Sequence, residues 1–111
     1  LAALAGAQTA MIAGDGRFTG AEVRAAYKPG IYYLAPSRVV ALENTHNMGG
    51  GIVWPRPQVD DVLAAARALG LATHLDGARI WNAAASGSTN TASSFETESG
   101  TAWRLRWGTA T

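Results

Sequence analysis

The segment from Arg38 to Asp76 constrains the fold more than any other part of the chain. It runs from a short apolar stretch through a glycine-rich loop and an amphipathic helix to a second short apolar stretch. Across Pro55 to Leu69, residues Val59, Val62, Leu63, Ala66 and Leu69 fall at offsets of 0, 3, 4, 7 and 10, one face of a 3.6-residue period. Gly70 follows where a left-handed stop belongs. Arg38 to Glu43 and Leu71 to Leu75 read as strands, the second ending on Asp76. Val39, Val40, Ala41 and Leu42 form the near-continuous apolar run of a parallel sheet covered on both faces. Strand, helix and strand joined in this order predict parallel pairing and an α/β layer architecture. Ligands of such sheets bind beyond the carboxyl ends of the strands, and both polar loops of this segment sit there.

Elsewhere the patterns are shorter. Ala7 to Ala13 is expected to form a brief buried strand before an Asp15-Gly16 turn. Thr19-Gly20-Ala21-Glu22 matches a capping box, in which the hydroxyl accepts from the Glu22 N–H while Glu22 reaches back. Val23, Ala26 and Tyr27 give a short helical face that Pro29-Gly30 ends. Ala78 to Ala85 reads as helical. Ser86 to Ser94 is polar and small, and Gly100 to Thr111 holds Trp103, Arg104, Arg106 and Trp107 in no periodic pattern. Two regions are therefore expected: 1–87, patterned as part of a layered domain, and an irregular polar tail over 88–111. No internal repeat is visible. Leu1 to Gly6 is apolar without a basic lead, so it does not read as a signal peptide; lacking an initiator Met, it reads as a start in mid-helix, as in a piece of something longer.

Composition narrows the function classes. Nine basic and eight acidic residues leave a net charge of +1, too balanced to indicate a nucleic-acid partner. Zero cysteines exclude disulfides, thiolate zinc sites and a cysteine nucleophile, and fit a cytoplasmic protein. No apolar run approaches the roughly 20 residues of a membrane span. No cluster has metal-ligand spacing, so no metal is expected.

The first polar loop is Glu43-Asn44-Thr45-His46-Asn47-Met48-Gly49-Gly50-Gly51. Four adjacent polar residues directly after a buried strand are costly there without partners, and three glycines let the backbone pass close to another surface. An ordinary loop with a satisfied histidine is the plainer reading. The second loop is His74-Leu75-Asp76-Gly77-Ala78-Arg79. An acid at that position can face a cationic ligand nitrogen, and an arginine can grip a carboxylate with two parallel hydrogen bonds. The plainer alternative is an internal Asp76–Arg79 ion pair, with Asp76 also capping the helix.

Taken together, Leu42-Glu43-Asn44-Thr45-His46-Asn47, the glycine run, Pro55, the amphipathic helix and His74-Leu75-Asp76-Gly77-Ala78-Arg79 with Asn82-Ala83 resemble the low-specificity threonine aldolases. These belong to the β-eliminating lyase group of aspartate aminotransferase-like enzymes dependent on pyridoxal 5'-phosphate (PLP). The resemblance covers Leu1 to Gly87. It implies an α/β fold in which this chain forms part of the large PLP-binding domain. It also implies cleavage of β-hydroxy-α-amino acids such as L-threonine or L-allo-threonine to glycine and an aldehyde. By the same resemblance, Asp76 matches the aspartate that pairs with the pyridine nitrogen, Arg79 the arginine that holds the substrate carboxylate, and His46 an active-site histidine near the substrate hydroxyl. Intact members of the family are usually homotetramers. Another β-eliminating lyase, an aminotransferase of the same fold, or a non-catalytic α/β binding domain are the competing readings.

The sequence also departs from the family. The lysine that carries the cofactor stands in a Ser-Lys-Gly type loop downstream of Asp-Gly-Ala-Arg, whereas the single lysine here is Lys28, just before Pro29. Phe95-Glu96-Thr97 resembles the start of the strand leading to that lysine, and Trp103 to Gly108 then replaces the pattern, as a frame change or truncation would produce. The chain alone is expected to be inactive. His74 is expected to be a packed structural residue, and Glu43 and Asn44 to orient the His46 loop.

Overall fold

The structure, a computed structural model, describes residues 2–86. Its elements in order are α1 (Ala2–Ala5), α2 (Gly20–Ala26), β1 (Val39–Glu43), α3 (Arg56–Ala68), β2 (Ala72–Asp76) and α4 (Ile80–Ala85). The tail over 88–111, with the strand expected at Phe95-Glu96-Thr97, lies outside the described residues.

β1 and β2 pair in parallel, from Val39 opposite Ala72 to Glu43 opposite Asp76. The ladder is extended at one end by Ala72 N–H to the Arg38 carbonyl (2.9 Å) and at the other by Asn44 N–H to the Asp76 carbonyl (3.0 Å). The chain returns between them through α3, so the strand–helix–strand unit read from the periodicity is present. Pro57 is tolerated near the start of α3 because first-turn N–H groups have no partner inside the helix. Its other end closes as a Schellman motif: Leu71 N–H bonds the Ala66 carbonyl (2.9 Å) and Gly70 N–H the Arg67 carbonyl (3.1 Å), with Gly70 at φ +67°. That motif takes Leu71 out of the strand, and β2 begins one residue later than the apolar run.

The helical face of α3 buries Val59, Val62, Leu63, Ala65 and Ala66 against Val40 and Leu42 of β1, Val23 of α2 and Trp54. Burying one of these valine or leucine side chains contributes about 1.5–3 kcal/mol. α2 docks on α3 through polar contacts as well: the Asp61 carboxylate accepts from Gly20 N–H at 2.7 Å, and Gln58 Nε2 donates to the Phe18 carbonyl at 3.1 Å. Both halves of the Thr19–Glu22 capping box are formed, with Glu22 N–H to Thr19 Oγ1 at 3.3 Å and Thr19 N–H to Glu22 Oε2 at 2.7 Å.

Two expectations change. Ala7 to Ala13 is not a strand: it has no regular secondary structure and is mostly exposed, with Ile12 packed against the core. The sheet is also covered on one face only among the described residues. β1 alternates exposed Val39 and Ala41 with buried Val40 and Leu42, and in β2 Ala72, His74 and Asp76 are exposed. His74 is thus an exposed residue on the open face, not a packed one; period-2 alternation puts it opposite the side that Leu75 uses.

Candidate functional site

The register decides which side chains meet. Glu43 stands opposite Asp76 at the carboxyl ends of the two strands. Paired residues of a parallel ladder point the same way, so both carboxylates lie on the open face. Just beyond them the chain turns twice. After β1, Asn44 is buried and tied on both sides: its N–H bonds the Asp76 carbonyl, and its Oδ1 accepts from Trp54 N–H at 3.3 Å. His46 and Ile52 then form a bridge, with His46 N–H to the Ile52 carbonyl at 2.8 Å, and Gly51 N–H returns to the His46 carbonyl at 2.9 Å. The loop is closed on itself and bolted to β2.

His46 is held at three points. Its Nδ1 accepts from Gly49 N–H at 2.9 Å, and its Nε2 lies 3.7 Å from Glu43 Oε2. A neutral imidazole has one donor and one acceptor nitrogen, so with Nδ1 accepting, the ring proton sits on Nε2 and faces Glu43. The third point comes from the Asp15-Gly16-Arg17 turn. Gly16 (φ +101°) leaves no room above the ring, since a Cβ there would fall 2.1 Å from His46 Nδ1. Gly49 passes as closely over the same turn, where a Cβ would meet the Asp15 carbonyl at 2.3 Å.

That turn is fixed by its own ion pair. Asp15 Oδ1 accepts from Arg17 N–H at 3.0 Å, and its Oδ2 lies 3.2 Å from Arg17 Nε. The Arg17 side-chain hydrogen bonds, and then its backbone N–H, hold the Asp15 carboxyl below its ordinary value near 3.8, while Asp15 raises Arg17. A depressed carboxylate contributes where it is charged: the contribution is complete above the unfolded value and disappears as pH falls through the folded one. The turn should therefore persist at pH 4 and loosen only at more acidic pH. An NMR titration of the Asp15 carboxyl carbon should give a midpoint below 3.8; a midpoint at or above it would contradict the pairing.

After β2, the Asp76 Oδ1 accepts from Ala78 N–H at 3.1 Å. Arg79 precedes α4 and directs Nη1 to Glu43 Oε1 at 3.5 Å, not to Asp76. The internal Asp76–Arg79 ion pair is thus not formed, and α4 has no side-chain cap. Asp76 is an exposed anion with no cationic partner among the described residues. Asp76, Arg79 and His46 are gathered at one end of the sheet, with Glu43 between the last two. Lys28 lies elsewhere. Its N–H bonds Ser37 Oγ and its carbonyl accepts from Ser37 N–H, both at 3.0 Å, which places it beside the amino end of β1. Among the described residues no group of three or more His, Cys, Asp or Glu could hold a metal, and no helix is long and apolar enough to cross a membrane.

The sequence reading missed the Asp15–Arg17 turn as part of the site, because nothing local ties it to a histidine some thirty residues on. It also missed that Glu43 reaches Arg79. The available signals were a glycine in a tight turn and an acid at a strand end, both common.

The chain matches the Beta-eliminating lyase family over residues 1–99. It is 41% identical over 71 residues to the low specificity L-threonine aldolase of Escherichia coli O157:H7, covering 64% of this chain and 20% of that protein. It is 42% identical over 66 residues to the low specificity L-threonine aldolase of Saccharomyces cerevisiae, covering 58% and 16%. Aldolase vrtJ of Penicillium aethiopicum is 37% identical over 90 residues, covering 78% and 22%. The chain thus spans about a fifth of the length of these curated relatives. With a match running over 1–99 of its 111 residues, the chain belongs to the beta-eliminating lyase family.

Proposed function

We propose that this chain supplies one wall of the active site of a PLP-dependent threonine aldolase, which cleaves L-threonine or L-allo-threonine to glycine and acetaldehyde. The observation that carries this reading is the meeting of Asp76, Arg79 and the His46 loop at the carboxyl end of one parallel sheet. The cofactor, when bound, draws electrons away from the substrate Cα–Cβ bond as it breaks. Asp76 fits the group: it is an exposed carboxylate without a cationic partner among the described residues, and a protonated ring nitrogen is the partner it lacks. Family membership supports the same choice, since beta-eliminating lyases are generally PLP-dependent.

The remaining roles belong to the chain's own groups. Arg79 would take the substrate carboxylate in a two-bond grip and so orient the scissile bond. His46 would handle the hydroxyl proton. Its Nδ1 lone pair is held by Gly49 N–H, so accepting a proton there means displacing that bond. Lys28, tied beside the other end of the sheet, is out of place to carry a cofactor, and the 111-residue chain by itself would be inactive. The reading brings with it a β-hydroxy amino acid as the small-molecule partner, a homotetrameric parent enzyme and a cytoplasmic location.

A chimera tests it. The matched 71 residues of the Escherichia coli O157:H7 aldolase are replaced by the corresponding stretch of this chain. The chimera should release acetaldehyde from L-threonine. In it, Asp76→Ala should lower kcat roughly 10- to 100-fold, since a charge-assisted hydrogen bond contributes about 1.5–3 kcal/mol. A folded, PLP-loaded chimera without cleavage, or one indifferent to Asp76→Ala, would overturn the assignment.

A further inference from the structure

Among the described residues Glu43 is the side chain that reaches both halves of the site. Its Oε1 accepts from Asn47 N–H at 3.1 Å and lies 3.5 Å from Arg79 Nη1, while its Oε2 lies 3.7 Å from His46 Nε2. We propose that Glu43 is a positioning residue that couples the occupancy of Arg79 to the state of His46. A carboxylate offers about four lone-pair directions on two oxygens, so one side chain can serve all three donors together.

The coupling follows from where the charges sit. Glu43 and His46 are partly buried, with 29% and 22% of their side chains exposed, so their interaction is screened less than in bulk water, while Arg79 reaches Glu43 from the exposed side. With the imidazole proton on Nε2, its partner is Glu43 Oε2. A carboxylate ligand gripped by Arg79 draws the guanidinium away from Oε1. The negative charge of Glu43 then falls more fully on the Nε2–H, and the 3.7 Å contact shortens. Loss of the Arg79 charge has the same sign. A signal therefore passes from the loop after β2 to the loop after β1 through one side chain, with no backbone movement. Glu43 is well placed for this because it is the last residue of β1, held by the ladder opposite Asp76.

The inference rests on the lyase reading for the identity of the ligand, but the coupling is a property of this chain alone. It is tested by nitrogen NMR of the imidazole in the full 111-residue chain. A His74→Gln background leaves His46 as the one remaining histidine. The parent should show a pyridine-type Nδ1 and a protonated Nε2. Arg79→Gln should shift the His46 ring nitrogens, although Arg79 does not itself contact the ring among the described residues. Glu43→Gln should lose the Nε2–H signal, and in that background Arg79→Gln should no longer move the ring, the non-additivity expected of a shared partner. His46 resonances unmoved by Arg79→Gln, in a chain whose backbone amide spectrum is unchanged, would overturn the coupling. If Glu43→Gln disturbs the fold, the Arg79→Gln result decides, because Arg79 is exposed and gives α4 no side-chain cap. None of these readouts involves substrate or cofactor. An inactive chimera would leave the coupling standing, and an unmoved imidazole would leave the lyase reading standing.

Discussion

Replacing Trp54 with Ala is expected to lower the unfolding free energy by about 3–5 kcal/mol, the range for deleting a buried large aromatic. Trp54 is fully buried and is the largest side chain in the core; it packs edge-on against Phe18 with ring centroids 5.0 Å apart. Whole domains are stable by only about 5–15 kcal/mol, and among the described residues one face of the sheet is open. The loss should shift the urea midpoint by about 1 M or more, since small domains lose roughly 1–3 kcal/mol per molar urea. Far-ultraviolet circular dichroism is the suitable probe, because it does not depend on the indole being removed. Trp54→Phe is the informative partner variant. The indole Nε1 is buried without a hydrogen-bond partner among the described residues, so its removal ends an unfavourable burial while most of the contact with Phe18 remains. It should cost well under the alanine variant. Equal losses in the two would mean that the fold depends on the indole nitrogen rather than on filled volume.

Trp54 also shows where reading the sequence stops. The face of α3 was legible because Val59, Val62, Leu63 and Ala66 repeat with the helix, and all four are buried. The capping box was legible because both of its bonds are local. Parallel pairing followed from two short apolar runs and the helix between them. Trp54 belongs to no period: it lies in the loop that returns from the His46 turn, and its burial is decided by Phe18 and Asn44, distant in sequence. The opposite error occurred at His74, where alternation was visible but the side of the sheet left uncovered among the described residues was not. For the site, loop chemistry marked Asp76, Arg79 and His46 as candidates beside plainer readings and the family resemblance gave them their roles; register and loop closure bring the three to one end. The choice of ion pair was not legible. Arg79 has an acid three residues before it and another thirty-six before it, and the folded chain gives it the distant one.

The glycine run separates two reasons for having glycine, and substitutions there should separate their effects on His46. Gly49 has no room: a Cβ would fall 2.3 Å from the Asp15 carbonyl and 3.0 Å from His46 Nδ1. Gly50 has open space around it but a φ of +83°, which L side chains rarely adopt. Gly50→Ala should therefore cost backbone strain of about 1–3 kcal/mol and leave the imidazole in place. Gly49→Ala must push the loop off the Asp15 turn and take its N–H away from Nδ1, so the ring loses the bond that sets its proton on Nε2. Gly16→Ala combines both penalties, φ +101° and a Cβ 2.1 Å from Nδ1, and should be the most damaging of the three. In the chimeric aldolase the same order should appear in kcat, with Gly50→Ala nearest the parent. The decisive comparison is the His46 ring-nitrogen spectrum of Gly49→Ala against Gly50→Ala at matched stability. A perturbed spectrum in Gly49→Ala alone means that close packing of the Asp15 turn holds the histidine. Identical spectra would mean that the turn merely covers it, and the glycines would then serve the backbone rather than the site.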